Sequence, residues 1–129
     1  MRFLLDANVV IELLDSHPRV TRNIRLHGPL DCGVSSVVMH ELYFGTFESR
    51  HLEYNLGRLA TLRFEILPFD ADDARYSGEL RATLARAGTP IGPLDVMIAG
   101  QALARDLTVI THNVGEFSRV PGLRVEDWQ

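Results

Sequence analysis

The chain has 129 residues, 46% of them hydrophobic and 23% charged, and a formal net charge of −4. Those values fit one compact domain with a buried core. They exclude a disordered or low-complexity chain and, by the sign of the charge, a generic basic nucleic-acid coat. No apolar run approaches the roughly 20 residues that span a bilayer.

Phe3-Leu4-Leu5 is a short apolar run that stops at Asp6 and predicts a buried strand. The same Asp6 interrupts any signal-peptide core. The only cysteine, Cys32, leaves no internal disulfide, and both features fit a cytoplasmic protein. Apolar residues at 9, 10, 13 and 14 predict a helix over 8–14, ended by His17-Pro18. A second helix is expected over 19–27, broken by Gly28-Pro29. Cys32-Gly33-Val34 predicts a second strand, with Cys32 a small buried hydrophobe rather than a nucleophile. Ser35 and Ser36 are suitable caps for a helix over 37–47.

A further amphipathic helix is predicted over 52–62 and a third strand over 64–69. Asp70 caps a long helix over 71–86 that Gly88 ends. Pro93 opens a helix over 94–104, followed by strands over 107–110 and 123–125. Strands alternating with helices imply an α/β domain with a mainly parallel sheet. In such sheets ligands bind beyond the carboxyl ends of the strands.

Three acids fall where that rim would open. Asp6 follows the first strand, Glu41 lies within the helix after the second, and Asp95 opens the helix leading to the fourth. Asp6 has a second reading as a helix cap, and Asp95 as a first-turn acid answering the helix dipole. Glu41, between Ser-Ser-Val-Val-Met-His and Leu-Tyr-Phe-Gly, has no such account. A carboxylate among apolar neighbours is costly unless paired, hydrogen-bonded or bound to metal. Clustered carboxylates are hard ligands suited to Mg²⁺ or Mn²⁺, and no Cys/His set has structural-zinc spacing.

Leu4-Leu5-Asp6-Ala7-Asn8, the segment Ser35 to Gly45 around Glu41, Ile91 to Ala99 around Asp95, Val109 to Phe117, and the tail Val120 to Trp128 together resemble the PIN-domain nucleases. Within them they resemble the VapC toxins of type II (VapBC) toxin–antitoxin pairs. The match covers nearly the whole chain. It implies a single PIN domain over 1–129, a three-layer α/β/α fold with a mainly parallel central sheet of about five strands. The resemblance implies that Asp6, Glu41 and Asp95 are metal ligands, with Mg²⁺ as cofactor and Mn²⁺ able to substitute. It places Asn113 at a fourth catalytic position that many members fill with Asp. Glu116 is then a candidate for the missing charge, or a solvated loop acid. Thr111 is expected to hold a water or phosphate, and Asn8 to orient Asp6.

The implied activity is Mg²⁺-dependent endoribonuclease cleavage of tRNA or rRNA, leaving a 5′-phosphate and a 3′-hydroxyl and inhibiting translation. The implied partners are a VapB-type antitoxin, operator DNA through the antitoxin complex only, and a second copy in a homodimer. A PIN nuclease outside toxin–antitoxin systems and a non-catalytic PIN binding module are the alternatives. Receiver domains and haloacid-dehalogenase-like phosphatases need a lysine, and all 13 basic residues here are Arg. Arg19, Arg22 and Arg25 form either a phosphate-facing stripe or a solvated helix face. His40 and His112 adjoin site residues and are read as hydrogen-bonding histidines rather than catalytic bases.

Overall fold

A computed structural model describes residues 1–129. In chain order it contains β1 (Phe3–Leu5), α1 (Ala7–Leu14), α2 (Pro18–His27), a 3₁₀ turn (Pro29–Asp31), β2 (Cys32–Ser35), α3 (Ser36–Glu48) and α4 (Leu52–Ala60). There follow β3 (Glu65–Leu67), α5 (Ala71–Arg86), α6 (Pro93–Arg105), β4 (Thr108–Ile110), α7 (Val114–Phe117) and β5 (Val125–Glu126).

The strands form one sheet in the order β3-β2-β1-β4-β5, and every neighbouring pair is parallel. Helices flank it, as parallel connections require. This is the expected α/β architecture. β1 lies at the centre, with Leu4 and Leu5 fully buried. From β1 the chain steps outward through β2 to β3, then crosses back to β4 on the other side. The reversal of direction falls between β1 and β4, where an open parallel sheet splays a crevice at its carboxyl edge. Asp6 and Thr111 are the first residues past those two strands.

Several boundaries differ from the sequence-based expectation, each for a local reason. α2 begins at Pro18 rather than Arg19, because proline fits the first turn and the His17 side chain accepts from Val20 N. β3 is confined to three residues, since Pro68 lacks the N–H needed to continue the ladder. α4 stops at Ala60 instead of Leu62. β5 lies at Val125–Glu126, not 123–125, because it pairs in register with Val109 and Ile110. The 3₁₀ turn and α7 were not anticipated: four residues of α7 are too few to show a helical period.

α6 matters most for the site, since it carries Asp95. It is locked to α5 at two places. Gly100 lies so close to α5 that an added Cβ would sit 2.5 Å from Ser77 Cα. At its carboxyl end Arg105 and Gln101 donate to Asp73, which is 1% exposed, and both also donate to Pro68 O. Asp70 and Asp73 form a reciprocal capping box at the start of α5. Burial alone would raise the Asp73 carboxyl. The Arg105 guanidinium, the Asp70 N–H and the Gln101 amide outweigh it and hold the carboxyl below its ordinary range.

Candidate metal centre

Asp6 caps α1: Oδ1 accepts from Ala7 N at 2.8 Å. Its other oxygen accepts from Thr111 Oγ1 at 2.8 Å and from Asn8 Nδ2 at 3.4 Å. Its own N–H donates to Ile110 O at 2.9 Å, which ties the end of β1 to the end of β4. The capping and metal readings of Asp6 are therefore compatible, one oxygen serving the helix and the other facing Thr111. Burial raises its pKa, partly offset by the Thr111 hydroxyl and the Ala7 N–H.

Glu41 projects from α3, which Ser35 caps by accepting from Val37 N. Its Oε1 is buried without any hydrogen-bond partner. Burial raises its pKa, the charge of Asp6 adds to this, and nearby His40 counteracts it. Asp95 stands in the first turn of α6. Burial, then the charges of Asp6 and Glu116, push its carboxyl up to about 7. One carboxylate oxygen from each of Asp6, Glu41 and Asp95 lies within 4.8 Å of the others. The three acids predicted from the sequence thus converge, although they come from three separate elements.

Glu116 and Asn113 stand beside this group, outside the three-acid set. Glu116 Oε1 accepts from Gly92 N at 2.5 Å, and Oε2 accepts from Asn113 Nδ2 at 2.5 Å. The Gly92 N–H is the main reason the Glu116 carboxyl lies below its ordinary value. Glu116 and Asp95 both lie against Gly92, so their carboxyl groups are neighbours. Asn113 spends its side chain on Glu116, and its N–H donates to Thr111 Oγ1 at 2.9 Å. Asn8, in turn, accepts from His112 N at 3.1 Å and donates to Asp6 and Thr111.

The donor set fits a hard divalent cation. None of the three carboxylates has an ion-pair partner in the chain. Two are raised partly by Asp6, and one presents a buried oxygen with nothing to accept from. A group of like charges this close is stabilised by protons or by a metal.

The other sequence candidates place no side chain in the three-acid group. Arg19, Arg22 and Arg25 are exposed along α2, a solvated face. His40 is exposed, and His112 pairs with Asp127 at 3.1 Å. Cys32 is buried in β2, which pushes its thiol up to about 11 and keeps it unreactive. Sequence reasoning missed Gly92, whose amide holds Glu116, and Arg119, which donates to Pro90 O at 3.0 Å and steadies the loop before α6. Backbone donors leave no mark in a sequence, and Arg119 carries no motif.

A family model described as PIN domain matches residues 3–123. The tRNA(fMet)-specific endonuclease VapC of Salmonella typhimurium (strain LT2) is 40% identical over 131 residues, covering 99% of this chain and 98% of that protein. The crystal structure of DNA-bound VapBC from Salmonella typhimurium superposes with a TM-score of 0.95 at 39% identity, covering 100% of this chain and 99% of that one. VapBC2 from Rickettsia felis, bound to a DNA fragment from its promoter, gives a TM-score of 0.93 at 34% identity, with both chains fully covered.

Proposed function

The chain belongs to the PIN-domain family, and within it to the VapC group; from that premise we propose that it is a Mg²⁺-dependent endoribonuclease toxin, acting on tRNA or rRNA, with Asp6, Glu41 and Asp95 as its metal ligands. The observation that carries this reading is the convergence of three carboxylates within 4.8 Å with no cation from the chain to neutralise them. The whole of residues 1–129 acts as one PIN domain in this reading, in the cytoplasm.

A bound Mg²⁺, for which Mn²⁺ can substitute, supplies water activation and neutralises charge on the scissile phosphate. The chain's own residues prepare the place. Thr111 and Asn8 fix the Asp6 carboxylate by donating to Oδ2. Glu41 faces the site with an unengaged oxygen. Glu116, held by Gly92 N, keeps its carboxylate beside Asp95 at the mouth of the site. Hydrolysis adds water across the P–O3′ bond, leaving a 5′-phosphate and a 3′-hydroxyl. Asn113 holds Glu116 rather than acting as a fourth ligand.

The partners follow the same reading. A VapB-type antitoxin blocks the acidic site and carries the complex to operator DNA. The groove beside Glu41, lined by Ile11, Leu14, Leu42 and Leu59 with Arg58 at its edge, suits an amphipathic segment of such a partner. A homodimer is favoured by the exposed aromatic side of α3, where Tyr43 and Phe47 stack at 6.4 Å.

The test is cleavage of tRNA and rRNA by the purified chain with Mg²⁺ or with EDTA, beside Asp95→Asn. Discrete fragments that require Mg²⁺ and disappear in the variant are expected. Cleavage that persists in EDTA or in Asp95→Asn overturns the assignment.

A further inference from the structure

The segment from the end of β5 to Gln129 is bound closely to the site. Thr111 N donates to Glu126 O at 3.0 Å. One residue on, Asp127 Oδ2 meets His112 Nδ1 at 3.1 Å, while Oδ1 accepts from Gln129 N at 2.9 Å. Trp128, 4% exposed, stacks on His27 at 4.3 Å and meets the edge of Phe3 at 4.9 Å. Asn23 Nδ2 donates to Trp128 O at 3.0 Å. The tail backbone is therefore anchored on α2 and β1, and Asp127 is presented to His112 from a fixed base.

His112 is the link inward. Its N–H donates to Asn8 Oδ1 at 3.1 Å. That bond decides which way the Asn8 amide lies: with Oδ1 on His112, Nδ2 must face Asp6 Oδ2 and Thr111 Oγ1. An amide turned the other way would set two oxygens against each other. The orientation of the peptide between Thr111 and His112 thus controls a hydrogen bond to a metal ligand.

We infer that Asp127 is a positioning residue of the acidic site: it holds His112, through His112 the Asn8 amide, and through Asn8 the Asp6 carboxylate. The inference rests on the metal-site reading above and goes beyond it, since it makes the tail part of the active-site support. Asp127 touches neither substrate nor ligand and acts only through this chain of contacts.

Calorimetric titration of the RNA-free chain with Mn²⁺ tests it, with melting temperature and the emission of the lone Trp128 recorded alongside. Asp127→Ala is expected to weaken Mn²⁺ binding about tenfold, the low end of the effect of losing an outer support of a metal site. Melting temperature and Trp128 emission stay near wild type, because the tail remains anchored. Asp127→Asn keeps an acceptor for His112 and restores most of the affinity. In a His112→Ala background, Asp127→Ala has no additional effect, the non-additivity of residues in one chain of contacts. Unchanged Mn²⁺ affinity in Asp127→Ala overturns the inference, as does an equal loss in the His112→Ala background. A wild-type chain that binds no Mn²⁺ overturns the metal-site reading itself and the inference with it, a result distinct from either.

Discussion

Asp95 shows how a single side chain serves function at the expense of stability. It is half-buried beside the charges of Asp6 and Glu116, which is why its carboxyl is pushed up to about 7. Asp95→Asn removes one of those charges. It is expected to raise the melting temperature of the metal-free chain by a few degrees while abolishing cleavage, and differential scanning calorimetry beside an RNA-cleavage assay reads both. Asp73 behaves in the opposite sense. Its buried carboxylate is held by Arg105 and Gln101, so Asp73→Ala leaves donors unpaired and costs about 2–3 kcal/mol in urea unfolding. The acids of the cluster were legible in the sequence because an acid among apolar neighbours is unusual, as around Glu41. Their supports were less legible. Asn8 is expected from the family pattern to orient Asp6, and it donates to that carboxylate. Thr111 is expected to hold a water or phosphate and instead donates its hydroxyl to Asp6, while Gly92 acts through a backbone N–H that no residue type announces.

The α5–α6 pair sets the position of the acid-bearing helix by close approach. A methyl group at Gly100 would overlap Ser77 backbone atoms at 2.5–2.6 Å. Gly100→Ala is therefore expected to destabilise by about 1–3 kcal/mol and to displace Asp95 with α6. Gly45 in α3 has nothing within 4 Å of the same built atom. Gly45→Ala is expected to stabilise by about 0.5–1 kcal/mol, the ordinary helix preference, and paired chemical denaturations give both signs. Elements with a long apolar period or a strong cap, such as α5 behind Asp70, could be read from the sequence. The short strands β1 to β4 are legible as apolar runs, β5 is expected two residues early, and α7 leaves no pattern. α7 and β5 owe their existence to tertiary partners: β5 to its register with β4, and α7 to the loop that Glu116 and Arg119 hold.

Across the whole molecule, the acidic site should dominate the response to pH. Asp6, Glu41 and Asp95 are raised in the folded chain, so they keep protons that the unfolded chain releases above about pH 4. The folded state then binds more protons, and stability falls as pH rises from about 4 to about 7. Glu116 and Asp73 are lowered; their contribution is complete above about pH 4 and is lost as pH falls through their folded values. In EDTA the melting temperature is expected to be higher at pH 5 than at pH 7.5, and added Mg²⁺ should reverse that order, because a metal binds the deprotonated ligands. A melting temperature that rises steadily from pH 5 to 7.5 in EDTA would contradict this. The sheet order was only partly legible: alternation of strands and helices implies parallel pairing, but nothing local says that β1 lies between β2 and β4.

That central position of β1 has a consequence for synthesis. β1 leaves the ribosome well before β4, yet β4 is one of its two neighbours, and Asp6 takes its hydrogen bond from Thr111. Asp95 and the donors of the Thr111–Asn113 turn also come late in translation, which proceeds from the amino end. A nascent chain therefore holds Asp6 and Glu41 without the residues that complete their site. The acidic cluster closes only once α6 and β4 have emerged. An inhibitor that recognises the assembled acids meets its target only as a finished protein.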